Sequence, residues 1–286
     1  MVLQRITSFL SYGFVHNLSG MPIIRKLARF INAHFSPKKD FLLKIENHRM
    51  YADTVDRIIA LHFWKFLASG SSETKSMKKT IKKGMTVIDI GANIGYYTLM
   101  FADLAGEKGR VYAFEPDPSN YRLLVKNIEA NGYKNVIAMQ KAVSNKSGVI
   151  DFYHSEGHRG DHRSYDPGDG ERKKIKVKSE TIDRFTGKKI IPDIVKIDVQ
   201  GAEFLVIQGM KNLIKRNKGL TILCEFCPRY MKKAGFSPVG FLDLLEQLGF
   251  ELALINEKKG TIEQIEPSAL MKICKGNKYA NLFLKR

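Results

Sequence analysis

Thr86-Val-Ile-Asp-Ile-Gly-Ala-Asn-Ile-Gly95 decides the fold. Thr86 to Ile90 is an apolar run of strand length interrupted only by Asp89. Gly91 and Gly95 then bracket a tight turn, and Tyr96 to Leu104 resumes at helical spacing. Outward from this unit, Arg110-Val-Tyr-Ala-Phe114 reads as a second strand and Pro118 to Asn131 as a second helix. Asn135 to Val143 reads as a third strand. Apolar strands alternating with helices predict a parallel sheet covered on both faces.

The alternation lapses after Ser144. Val149 to Tyr153 and Lys174 to Lys178 alternate as antiparallel strands do, and Ser155 to Arg172 between them is a long loop rich in Gly, Asp, His and Arg. Order resumes with Ile194 to Asp198 as strand, Ala202 to Lys215 as helix, Leu220 to Phe226 as strand and Pro238 to Leu248 as helix. Glu251 to Asn256 and Tyr279 to Leu284 close the chain as strands. On the other side, Phe41 to Tyr51 reads as strand, Asp53 to Ala68 as a helix around Trp64, and Thr74 to Ile81 as a short helix. Ile6, Phe9, Leu10, then Ile23, Ile24, Leu27 and Ile31 recur at helical spacing among Arg and Lys, with Pro22 dividing two basic amphipathic helices. The expected division is an extension or cap over residues 1–75 and an α/β domain over 76–286.

Composition narrows the classes. The 286 residues are 44% hydrophobic and 27% charged, which supports a packed core and excludes global disorder. No apolar run approaches the 18 or so residues of a membrane-spanning helix. Polar residues interrupt Ile6 to Val15 and no clean cleavage site follows, so a mature cytoplasmic N-terminus is expected. Cys224, Cys227 and Cys274 are too few for a disulfide framework. The net charge of +18 admits nucleic acid, an anionic membrane surface or an acidic substrate as partner. It is equally compatible with a lysine-rich surface that has none.

Gly91 permits a tight turn, Gly95 lets backbone approach a ligand, and the helix beyond offers unpaired N–H groups. Glu115, at the end of the second strand, is placed to accept hydrogen bonds from ribose hydroxyls. A dinucleotide fingerprint requires G-x-G-x-x-G, but here Asn93 and Tyr96 stand where its second and third glycines belong. A cofactor with an amino-acid end in place of pyrophosphate suits the turn better, with Asp89 toward its ammonium group. S-adenosylmethionine (SAM) meets both demands.

Asp89-Ile-Gly-Ala-Asn-Ile-Gly-Tyr-Tyr-Thr98, Phe114-Glu-Pro-Asp-Pro118 and Lys196-Ile-Asp-Val-Gln-Gly-Ala-Glu203 resemble the FkbM-type SAM-dependent methyltransferases, as does the closing Tyr279-Ala-Asn-Leu-Phe283. The resemblance implies a class I methyltransferase (Rossmann-like) fold with a seven-stranded, mostly parallel sheet and an antiparallel last strand. It also implies methyl transfer to hydroxyl oxygens of sugars and other small metabolites, with S-adenosylhomocysteine as product. Carried over, Asp89, Gly91, Ala92, Asn93, Gly95 and Tyr96 would frame the methionine end of SAM. Glu115, with Pro116, would hold the ribose, and Ala142 and Val143 would flank the adenine. Asp198 would lie near the sulfonium or the nucleophile, and Glu73 would be an outlying contact. Two departures stand out: Gln200, where the family usually has Glu, and Gly70-Ser-Ser-Glu73, where an aromatic residue commonly precedes the Glu.

An alcohol is a poor nucleophile unless its proton is accepted as the new bond forms. Asp198, Glu203, Glu225 and His162 are the candidate bases; Glu203 can equally serve the start of its helix. His154, His158 and His162 recur at spacings of four, but Gly157 and Gly160 oppose a helix. A substrate-gripping loop is therefore expected rather than a metal site. In it Arg159 and Arg163 would clamp an anionic group, and Asp161 and His162 would serve turnover. Cys224 and Cys227 lack a partner pair and read as structural. The expected function is O-methylation of a sugar, glycoconjugate or secondary metabolite. The alternative is an RNA methyltransferase or a basic nucleic-acid-binding protein. Residues 1–35 offer peripheral membrane contact; the acceptor and the oligomeric state are open.

Overall fold

The computed structural model describes residues 40–52, 71–155, 160–168, 170 and 172–286. The helices expected before residue 40 and around Trp64 lie outside the described residues, as do His158 and Arg159.

Strands β1 (Phe41–Ile45) and β2 (His48–Ala52) form an antiparallel hairpin where the sequence suggests one strand. Glu46 turns the chain at φ 51°, which alternation alone does not reveal. The hairpin docks on the helix of the second βα unit. Asn127 Oδ1 accepts from Tyr51 N at 2.5 Å and Asn131 Oδ1 from Arg49 N at 2.8 Å.

Helix α1 (Ser72–Thr80) follows, started by Ser71, whose hydroxyl accepts from Thr74 N at 3.1 Å. Then come β3 (Thr86–Ile90), α2 (Tyr96–Ala105), β4 (Arg110–Phe114), α3 (Pro118–Ala130) and β5 (Val136–Met139). Strands β6 (Ala142–Val143), β7 (Gly148–Ser155) and β8 (Arg172–Glu180) make a separate small sheet in the order β6-β8-β7. The third strand therefore stops at Met139. Ala142 and Val143 pair parallel with Ser179 and Glu180 instead of extending it, a correction to their expected place.

Helix α4 (Ile182–Thr186) leads to β9 (Ile194–Ile197), α5 (Glu203–Gln208) and α6 (Lys211–Arg216). One helix is expected over Ala202 to Lys215, but Gly209 breaks it, because its backbone is pressed against the Ser144 carbonyl. The chain continues through β10 (Thr221–Phe226), α7 (Pro228–Lys233), α8 (Pro238–Gln247), β11 (Glu251–Asn256), β12 (Thr261–Gln264), α9 (Pro267–Ile273) and β13 (Ala280–Lys285).

The main sheet is eight-stranded, in the order β12-β11-β13-β10-β9-β3-β4-β5. Strands β5, β4, β3, β9 and β10 run parallel, and β13 lies antiparallel between β10 and β11. This is the class I methyltransferase arrangement with one extra edge strand, β12, whose Thr-Ile-Glu-Gln is too polar to announce itself. Val87, Ile88, Val111, Ala113, Val195, Ile222 and Leu284 are fully buried in the sheet, each side chain of Val or Leu size stabilising by about 1.5–3 kcal/mol. The strand order reverses at β3, so a crevice opens beyond the C-terminal ends of β3, β4 and β9. No helix among the described residues is long and apolar enough to cross a membrane.

Candidate active site

The β3–α2 turn is shaped by backbone rather than side chains. Gly91 (φ 83°) and Gly95 (φ 100°) are left-handed, as is Asn93 between them (φ 52°). Gly91 N and Ala92 N each donate to the Phe114 carbonyl at 3.0 Å, which ties the turn to the end of β4. Gly91 also touches β9, where a Cβ would overlap the Asp198 carbonyl oxygen. A Cβ on Gly95 would come within 2.8 Å of Leu124.

Glu115 is buried beside this turn and accepts from Asn93 N at 2.8 Å and Asp117 N at 2.9 Å. Burial pushes its carboxyl up to about 8, against the pull of those two amides. Asp89 is fully buried; one oxygen accepts from Thr98 Oγ1 at 2.6 Å, and the other has no hydrogen-bond partner among the described residues. Burial raises its pKa, while Lys196 opposes the rise. Tyr96 begins α2, packed edge-on against Tyr97 at 5.1 Å, and Pro116 is partly buried after Glu115.

A cavity of about 410 Å³ adjoins the turn over the C-terminal edge of β9, β10 and β11, within the range of small-molecule sites. It brings together Glu73, Tyr97, Lys196, Asp198, Glu225 and Asn281, from five different elements and the turn after β9. Glu73 accepts from Tyr97 Oη at 2.8 Å and from Asn281 Nδ2 at 3.1 Å. Lys196 is buried, 3.3 Å from Asp198 Oδ2 and 4.5 Å from the Tyr97 ring centroid. Burial works against its charge, yet Asp198, Asp89 and Glu73 hold its pKa above the usual lysine range. Burial pushes the Glu225 carboxyl well up, reinforced by Asp198 and Glu203 and resisted by Lys196. Sequence reading missed Tyr97, Lys196, Asn281 and the rim residue Tyr279. The detectable signal was a lysine inside the otherwise apolar Ile194-Val-Lys-Ile197 strand.

Glu203 does not reach the cavity. Its buried carboxylate accepts from Gly201 N through both oxygens at 3.0 Å and from Val199 N at 3.3 Å, fastening the turn after β9. Asp161 and His162 do not line the cavity either. Asp161 pairs with Arg163 and Arg172. Arg163 is buried, stacked 3.7 Å over the Tyr230 ring, and donates to the Gln200 carbonyl at 2.7 Å, so its guanidinium is taken up within the protein and does not serve as the expected anion clamp.

His162 instead stacks on His154, with ring centroids 4.7 Å apart, beside Asp117. These three place one ligand atom each within 4.8 Å of one another, a cluster able in principle to hold a metal ion. The hydrogen bonds argue otherwise. His154 Nδ1 donates to Asp117 Oδ2 at 2.5 Å. His162 Nδ1 accepts from Ser155 N at 3.0 Å, which leaves the proton on Nε2, 3.7 Å from Asp117 Oδ1. In this arrangement both rings turn a proton toward Asp117, which a metal would have to displace. Cys224, Cys227 and Cys274 are all free and buried.

The sequence matches the methyltransferase FkbM domain over residues 89–252. The chain belongs to the FkbM methyltransferase family. Among curated proteins it is 33% identical over 136 residues to the hexuronic acid methyltransferase AglP of Haloferax volcanii, a match covering 44% of this chain and 50% of that one. It is 45% identical over 56 residues to a protein-L-isoaspartate O-methyltransferase of Methanococcoides burtonii, covering 20% of this chain and 28% of the relative. The chain thus spans half the length of the first relative and about a quarter of the second. A crystal structure of methyltransferase FkbM from Methylobacillus flagellatus KT aligns at TM-score 0.44 and 14% identity, over 82% of this chain and 55% of that one.

The FkbM family is one of SAM-dependent methyltransferases. The site fits that cofactor: a left-handed glycine turn at the end of β3, a buried Asp89 oxygen with no hydrogen-bond partner among the described residues, and a carboxylate at the end of β4.

Proposed function

We propose that the protein methylates a hydroxyl oxygen of a sugar or sugar-like acceptor bound in the cavity beside Asp198 and Glu225. The observation that carries this reading is the junction of the two halves of the site at Asp198. Its carbonyl packs on the Gly91 turn, and its side chain faces the cavity. The hexuronic acid methyltransferase relative supports a sugar as acceptor.

Asp89, Gly91, Ala92, Asn93, Gly95 and Tyr96 hold the methionine end of SAM, and Glu115 with Pro116 holds its ribose. Bound there, SAM supplies an electrophilic methyl group. The chain's own residues align the acceptor oxygen with it, which is most of the catalysis. Asp198 takes the hydroxyl proton as the new C–O bond forms and the C–S bond breaks, leaving S-adenosylhomocysteine. Lys196 pairs with Asp198 at 3.3 Å and holds its carboxylate at the edge of the cavity. Glu225 hydrogen-bonds the acceptor. Residues 1–75 act as a cap ahead of a catalytic unit over 76–286, and three unpaired cysteines suit a cytoplasmic enzyme.

The test is to incubate the protein with SAM and a panel of neutral and uronic methyl glycosides, following S-adenosylhomocysteine release. Wild type should methylate at least one sugar, and Asp198→Asn should lose turnover by about 10²-fold or more while still binding S-adenosylhomocysteine. Turnover unchanged in Asp198→Asn would remove Asp198 as base.

A further inference from the structure

The turn after β9 bends at Gln200, a non-glycine residue at φ 57°, and again at Gly201, φ 109°. A Cβ on Gly201 would come within 2.8 Å of the Tyr230 carbonyl, so the turn is seated on the start of α7. This bend sends the Gln200 side chain across the ends of β9 and β10. Its Nε2 donates to Asp198 Oδ1 at 2.8 Å and to Glu225 Oε2 at 3.0 Å. A primary carboxamide has two N–H groups, and each goes to a different carboxylate. From behind, Arg163 holds the Gln200 carbonyl, and Asp161 braces Arg163 together with Arg172 at the start of β8.

We propose that Gln200 is a positioning residue that yokes Asp198 and Glu225 through one carboxamide, with Arg163 and Asp161 bracing it from the small sheet. The proposal rests on the reading of the cavity as the acceptor site. It gives Asp161 a role at one remove from the chemistry and explains why an amide stands where the resemblance leads one to expect a carboxylate.

The electrostatics favour a neutral donor at this point. Glu225 faces Asp198 and Glu203 from the β9–α5 turn, Glu73 from α1, Lys196 from β9, and Cys224 and Tyr279 on either side. Lys196 is the one cation among these groups, and it is already paired with Asp198. Glutamate at position 200 would crowd a third carboxylate onto the pair. The amide instead gives each carboxylate a hydrogen bond and adds no charge, which favours their ionised forms. Its removal moves the proton affinity of the pair upward.

The experiment is a ¹³C NMR pH titration of protein labelled at the aspartate γ- and glutamate δ-carbons. The Asp198 and Glu225 signals are assigned by their loss in Asp198→Asn and Glu225→Gln. Wild type is compared with Gln200→Met, which keeps the shape and loses both donors, and with Gln200→Glu. Both variants should shift the apparent midpoints of the pair upward by about one pH unit or more. Arg163→Lys should shift them in the same direction and less far. Midpoints unchanged in Gln200→Met would overturn the proposal; if Gln200→Met does not fold, Gln200→Leu, which also lacks both donors and adds no charge, decides in its place. A purely structural Gln200 would lower thermal stability without moving the midpoints. The titration needs no acceptor, so failure to methylate any sugar would refute the acceptor reading separately.

Discussion

Gly91 and Asp198, more than a hundred residues apart in sequence, are packed so closely that a single added methyl on Gly91 would overlap the Asp198 carbonyl oxygen. Asp198 N in turn donates to the Ile90 carbonyl at 3.0 Å. The Gly91 turn and Asp198 are therefore packed as one unit. Gly91→Ala meets two penalties there, a side chain at φ 83° and a steric overlap with backbone that cannot swing away. It should cost about 1–3 kcal/mol from the backbone strain alone. S-adenosylhomocysteine binding measured by calorimetry should be lost or severely weakened. A fully retained affinity would show that the turn can slide off β9.

Glu115 supplies a pH test. Its carboxyl is pushed up to about 8 by burial, whereas an unfolded glutamate titrates near 4.5. The folded state thus binds the proton more tightly. Its contribution to stability is full below about 4.5 and declines as pH rises toward 8, by about 1 kcal/mol per pH unit. Ribose hydroxyls donate best to the ionised carboxylate, so affinity for S-adenosylhomocysteine should climb over the same interval. Glu115→Gln should flatten both slopes in calorimetry and thermal melts. Slopes of the same steepness in the variant would assign the titration to another group.

The contrast between Glu115 and Glu203 shows what was legible in the sequence. Glu115 follows an unmistakable strand and stands at a fixed distance from a glycine turn, so its place can be read from local pattern. The same is true of the parallel strands, whose apolar runs cannot be anything but buried. Glu203 and Asp161 look equally chemical in sequence, but what they bond is decided by backbone turns and by partners such as Arg172, on the far side of a loop. Ala142 and Val143 failed for a related reason. A short apolar pair continues a strand on paper, whereas a neighbouring strand edge, Ser179 and Glu180, captured it in the fold.

Glu203 yields a third prediction, about stability rather than catalysis. Its carboxylate serves two backbone amides in the turn that carries Asp198 and Gln200. Glu203→Ala leaves those buried donors unsatisfied, at a cost of about 1–3 kcal/mol each. Denaturant melts should show the loss, with Glu203→Gln recovering part of it. A variant with normal stability and no turnover would instead mark Glu203 as a catalytic base.

Asp117 offers a test of the histidine cluster. Burial opposes its charge, but the His154 hydrogen bond, His162 and the start of α3 together hold its carboxyl well below the usual range. A depressed folded pKa gives stability that is complete above the unfolded value near 3.8 and is lost as pH falls below it. Asparagine caps a helix nearly as well as aspartate, so Asp117→Asn keeps the bonds to Ser119 N and Asn120 N and removes the charge that both histidines face. The variant should lose about 1–3 kcal/mol near neutral pH, with the gap from wild type closing in strong acid. Asp117→Ala should lose about a further 1 kcal/mol through the cap. Zinc added to wild type should leave the melting temperature unchanged, because the Ser155 amide keeps the His162 proton on the nitrogen nearest Asp117. A marked rise with zinc, abolished in His162→Ala, would turn this hydrogen-bonded triad into a metal site.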